Sequence, residues 1–130
     1  MLLDTLSTPR LLLDRDRLTR NLRRMQATAD DNDVALRPHG KTHKCSALAH
    51  EQMEHGAVGL TVATLAEAEA FADAGLQDLC IAYPVVGDDR YKRVQALMDT
   101  ATVSFCVDTA AGITQADAFF TAASRPADVL

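Results

Sequence analysis

The chain has 130 residues, 48 % hydrophobic and 24 % charged, with a net charge of −5; this is room for one domain with a real core, and it excludes a disordered or fibrous chain. Residues 1–50 carry nine Lys/Arg against six Asp/Glu and residues 51–130 four against twelve, which argues against a nucleic-acid partner for the acidic part. Cys45, Cys80 and Cys106 form no CxxC pair, Asp4 interrupts the opening where a signal peptide would be apolar, and no run could span a bilayer; a reduced, cytoplasmic protein with no membrane partner is expected.

In chain order, residues 10–14 (RLLLD) predict a short strand, followed from Asp16 by a helix with Leu18, Leu22, Met25 and Ala29 on its apolar face. The arginines between them read as a solvated helix face, since no aromatic is interleaved. Residues 33–38 (DVALRP) predict the next strand, and a basic loop, RPHGKTHK, covers 37–44. A helix is expected over 46–55 with Leu48 and Met53 inward, stopping at Gly56. The strand 58–63 leads to Thr64 and Glu67, whose TLAE pattern is a capping box opening an alanine-rich helix that ends at Gly75. Then come a strand at 78–84, a helix at 89–99 burying Tyr91, Val94 and Leu97, a strand at 102–107, and a helix at 110–123 with Ile113 and Phe120 inward. Residues 128–130 look like the start of a further strand. Strand and helix alternate every twenty to twenty-five residues or so, the spacing of parallel strands joined by helices. The class is α/β, and a closed barrel and an open doubly wound sheet both fit. A barrel needs eight strands and roughly 250 residues, so an apolar run at the chain's end predicts an incomplete, N-terminal piece.

The basic loop is the candidate site, because α/β folds assemble active sites where strands end. Gly40, Lys41 and Thr42 spell GKT, but a phosphate-binding loop needs a glycine where Ala35 stands, and Pro38 removes an amide. His39, His43 and Cys45 lie close together, yet Pro38-His39-Gly40 does not start the helix that would align the two histidines on a metal. A third reading is a Schiff-base lysine. An amine attacks a carbonyl only as the free base, which cationic neighbours and partial desolvation favour, and Arg37, His39, His43 and Lys44 surround Lys41. An exposed basic loop without chemistry fits the local pattern equally well.

The ordered motifs TPRLLLDRDRLTRNLRRM, ALRPHGKTHK, TVATLAEAEAFADAG and IAYPVVG resemble the N-terminal part of the D-threonine aldolase and D-serine dehydratase family. These are pyridoxal-phosphate enzymes with an alanine racemase-type barrel. The resemblance runs over most of residues 8–108 and implies that residues 1–130 are a partial (β/α)8 TIM-type barrel of the alanine racemase type. On this view 33–38 is its first strand, and 10–14 packs instead with a C-terminal β domain. It implies that Lys41 carries pyridoxal 5'-phosphate, with Arg37 and His39 in the cofactor pocket. Thr64, Tyr83 and Asp108 lie at later strand ends and carry over more weakly. A divalent metal is implied as well, with its ligands, the main phosphate loop and the ring-nitrogen partner beyond residue 130. The implied activity is a lyase acting on D-β-hydroxy amino acids, D-threonine aldolase-like and possessed by the full-length protein, a candidate homodimer, rather than by this piece. D-serine dehydratase, amino-acid racemase and, from another class, a non-catalytic pyridoxal-phosphate carrier are the alternatives. Gly40 leans toward the aldolases and Thr42 toward the dehydratases.

Overall fold

The computed structural model describes residues 5–130. Helix α1 (Arg15–Asp30) opens where the Asp14 carboxylate accepts the Arg17 N–H at 2.9 Å. After a 3₁₀ turn at Gly40–Thr42 come α2 (Ser46–Glu54), β1 (Leu60–Val62), α3 (Leu65–Asp73), β2 (Asp78–Pro84), α4 (Asp88–Leu97), β3 (Thr102–Cys106), α5 (Ala110–Ala122) and β4 (Asp128–Val129). The four strands are parallel and adjacent in the order β1-β2-β3-β4. A doubly wound sheet reverses its strand order at a switch point, whereas a barrel adds each strand beside the last. The observed order is the barrel's. Among the described residues no helix is long and apolar enough to cross a membrane.

Strand alternation divides the sheet into two faces. Leu60, Val62, Leu79, Ile81, Val103 and Phe105 are almost wholly buried under the helices. Against them pack Leu65, Ala68 and Phe71 of α3, Tyr91 and Val94 of α4, and Ala116 and Phe120 of α5. Tyr91 is the keystone: its ring lies 6.2 Å from Phe105 and 5.7 Å from Phe120, and its hydroxyl donates to the Gly112 carbonyl at 3.4 Å. The opposite face carries Gly59, Thr61, Asp78, Cys80 and Ser104, the side that a barrel closes upon.

Residues 10–14, expected to pair with a C-terminal β domain, pair with no strand among the described residues, and Leu11 is fully exposed. Three other expectations are corrected. Within the expected strand 33–38, Asp33 closes the turn after α1 with a φ of 53°, and the residues after it run beside β1 without becoming a ladder strand. The Leu36 carbonyl accepts from Val58 N at 2.9 Å and the Pro38 carbonyl from Thr61 N at 2.7 Å, but the intervening bond falls to the nitrogen of Pro38, which has no hydrogen. Only a single bridge, His39 to Thr61, marks the pairing. Ile113 is 54 % exposed, because Gly112, Ala116 and Phe120, four residues apart, take the inner stripe of α5. Met25 is also exposed, on an apolar cleft of about 260 Å³ with Leu22, Gln26, Leu36, Pro38, Gln52 and His55. On α2 the fully buried residue is Ala49; Leu48 is half-buried.

On the inner face Arg37 passes over Gly59 to grip Asp78, the first residue of β2, with both prongs of its guanidinium at 2.5 and 3.2 Å. The crossing requires glycine, since a Cβ at position 59 would stand 2.1 Å from Arg37 Nη1 and 2.8 Å from the Asp78 carbonyl oxygen. Gly59→Ala is therefore expected to expel the guanidinium and cost about 1–3 kcal/mol, the range of core overpacking. Urea denaturation should show a lower midpoint at unchanged slope, and an unaltered midpoint would contradict the crossing.

Candidate active site

The loop that follows the Pro38 carbonyl is fixed residue by residue. His39 is extended and its Nδ1 accepts the Lys41 N–H at 3.3 Å, which starts the 3₁₀ turn. Thr42 Oγ1 donates to the His39 carbonyl at 3.3 Å, and the Gly40 carbonyl accepts from His43 N at 3.3 Å and Lys44 N at 2.8 Å. Gly40 is buried against the core: a Cβ there would lie 3.0 Å from both Leu60 Cδ2 and Phe71 Cε2. Lys44 takes a left-handed φ of 47°, uncommon for a side chain of its size. The chain then enters α2 with Cys45 N–H donating to His43 Nδ1 at 3.1 Å. These bonds engage the amides of Lys41, His43, Lys44 and Cys45 within the loop, which leaves fewer of them for a phosphate cradle.

One carboxylate organises the loop's charge. Glu67 Oε1 meets Lys44 Nζ at 3.0 Å and Oε2 accepts the Ala63 N–H at 2.7 Å, while its own N–H donates to Thr64 Oγ1 at 3.1 Å. The capping box is thus real at Thr64, but Glu67 reaches one residue further back than the cap. Burial pushes the Glu67 carboxyl up, and the Ala63 N–H and the Lys44 ammonium outweigh it, leaving a lowered value. Lys41 Nζ has neither a hydrogen bond nor an ion pair among the described residues. His39 beside it is lowered from its ordinary value, by burial and then by the Lys41 charge, against the opposing pull of Glu67 and the Thr61 backbone. Buried His43 Nε2 has no hydrogen-bond partner, and its ring stands edge-on to Phe71 at 6.3 Å.

The structure brings His39 and Lys41 together at the carboxyl end of the strand edge. Arg37 lies on the same segment, but its guanidinium is engaged at the amino end of β2, where the Asp78 hydrogen bond raises it further above its ordinary value. Thr64 is a helix cap, Tyr83 is half-buried against the core, and Asp108 is exposed after β3. Sequence reasoning did not assign Glu67 to the loop or pair Asp78 with Arg37. The TLAE motif placed Glu67 at a strand end, whereas nothing local marked Asp78. Among the described residues no three His, Cys, Asp or Glu side chains gather as a metal site.

A parallel sheet wound in sequential order, with a helix returning the chain to each next strand, is the architecture of a (β/α) barrel. The alanine racemase N-terminal domain model matches residues 13–130, and the chain belongs to that family. It is 42 % identical over 123 residues to a D-threonine aldolase of Arthrobacter sp., covering 95 % of this chain and 32 % of that protein. It is 49 % identical over 78 residues to a D-threo-3-hydroxyaspartate dehydratase of Delftia sp. (strain HT23), covering 60 % of this chain and 20 % of that one. The crystal structure of D-threonine aldolase from Filomicrobium marinum superposes with a TM-score of 0.89 at 40 % identity, over 95 % of this chain and 34 % of that chain. The chain thus spans about a third of the length of the aldolases it matches.

The His39 bond gives the loop a pH dependence. Its value is lowered in the folded state, so the stability it contributes is complete above the unfolded value of about 6.5 and is lost as pH falls through the lower folded value. Protonation of Nδ1 removes the acceptor for Lys41 N–H. Hydrogen exchange at the Lys41 amide, corrected for intrinsic rate, should accelerate as the pH drops below that point, and His39→Phe should abolish the change. Acid-independent protection in the wild type would contradict it.

Proposed function

We propose that these residues are the lysine-bearing part of a pyridoxal-phosphate lyase acting on D-β-hydroxy amino acids, cleaving them between Cα and Cβ to glycine and an aldehyde. The observation that carries the reading is Lys41 Nζ, an exposed primary amine without a counter-ion at a strand end, on a chain related to D-threonine aldolases. The residues suit the cofactor. Lys41 offers the free amine that would hold it, and the neutral His39 imidazole steadies the Lys41 backbone. Arg37, locked to Asp78, anchors the segment from below. When bound, pyridoxal phosphate supplies the electron sink that lets a bond at Cα break. On this reading the phosphate loop, the ring-nitrogen partner and the ligands of a divalent metal belong to parts of the full-length lyase other than these 130 residues, and the full-length lyase is a candidate homodimer. Three unpaired thiols support a cytoplasmic setting.

The similarity to the dehydratase favours a second reading, in which water is eliminated to give a 2-oxo acid and ammonia. Products separate the two, since an aldolase releases aldehyde and glycine from D-threonine whereas a dehydratase releases 2-oxobutanoate. In the complete lyase Lys41→Ala should lower turnover by about a thousandfold or more, as expected for a covalent-catalysis residue, and Lys44→Ala by far less. Turnover of the Lys41→Ala protein close to wild type would refute the proposal.

A further inference from the structure

We propose that Glu67 is the positioning residue that decides which of the two loop lysines is presented to a carbonyl compound, by occupying Lys44 and leaving Lys41 free. This rests on the reading of Lys41 as the cofactor-bearing lysine and names what makes it the one. The chain has three lysines, Lys41, Lys44 and Lys92. Lys41 is the middle residue of the Gly40–Thr42 turn and Lys44 follows two residues after it, and both are exposed. An aldehyde arriving at this edge therefore meets two primary amines of the same intrinsic chemistry, and something in the fold must distinguish them.

Glu67 is built to do so. A helix-capping glutamate ordinarily returns to the N–H of the cap residue itself. Here Oε2 is drawn one residue further, to Ala63 N at 2.7 Å, which aims Oε1 at the loop and onto Lys44 Nζ at 3.0 Å. The carboxylate is largely buried, 12 % exposed on its side chain, while Lys44 is 66 % exposed; the fixed partner is the acid. Lys44 is directed to it by its left-handed backbone and by its N–H bond to Gly40 O at 2.8 Å. An amine engaged by a carboxylate has to leave it before it can attack a carbonyl carbon. Lys41 has no such partner to leave. The attack itself balances simply: the amine nitrogen bonds to the aldehyde carbon and the aldehyde oxygen departs as water.

The test uses pyridoxal phosphate as the aldehyde, borohydride to fix the adduct, and peptide mapping to quantify label at each lysine. Lys92, exposed on α4 away from the loop, measures non-specific reaction. Glu67→Gln keeps an acceptor for Ala63 N–H and removes the charge. Label at Lys44 relative to Lys92 should then rise about three- to fivefold, the scale of one ion pair with an exposed partner. Should that variant not fold, the wild-type protein gives the same readout, because salt screens a pair whose lysine stands in solvent and the Lys44 to Lys92 ratio should climb between low and high salt. A ratio indifferent to the substitution, or to salt where the variant does not fold, overturns the role of Glu67. A wild type in which Lys41 is labelled no more than Lys92 defeats the functional reading instead, so the two failures are distinct.

Discussion

The hydrogen bond from Thr61 N–H to the Pro38 carbonyl, 2.7 Å long, ties the lysine segment to the sheet beside the His39–Thr61 bridge, and the site hangs from it. Below it the chain is extended and parallel to β1; above it the backbone folds over into the Gly40–Thr42 turn. Proline sets this limit from both sides. It supplies the carbonyl but not the N–H that would continue the ladder, so pairing thins out just where the chain must leave the sheet. His39 then starts the turn with its own side chain, and Lys41 emerges at the strand end.

Packing carries this local event into the core. Gly40 sits against Leu60 and Phe71, both part of the buried cluster that joins the strands to α3. The same helix contributes Glu67 to the loop and Phe71 to the contact with His43. Displacement of α3 would therefore shift the floor of the turn and its charge partner together. At the amino end of the sheet Arg37 and Asp78 clamp the segment across Gly59, which sets the height at which Lys41 appears. One end is fixed by an ion pair and the other by a cap, with the amine left free between or beyond them.

Much of this was legible in the residues. The alternation of apolar runs and helical spacing foretold β2, β3, α4 and α5 nearly to the residue, because buried parallel strands are written as continuous Val, Leu, Ile and Cys. The TLAE motif foretold the α3 cap. What was not legible depends on partners distant in the chain. RLLLD has strand composition, but composition does not supply an edge. DVALRP does have an edge, and a single proline nitrogen interrupts it. Ile113 and Phe120 are equally apolar, and only the direction of the stripe through Gly112 and Ala116 shows which one faces in. The loop's basic character was visible, whereas its division into an engaged and a free lysine required the fold to bring Glu67 alongside.

On the proposed reading Lys41 alone offers an amine suited to hold an aldehyde cofactor. Titrating the protein with pyridoxal phosphate, and following the visible absorption of the protein-bound imine in the wild type, Lys41→Met and Lys44→Met, tests it most directly. A saturable band is expected in the wild type and in Lys44→Met and none in Lys41→Met. A band of wild-type strength in Lys41→Met would contradict it.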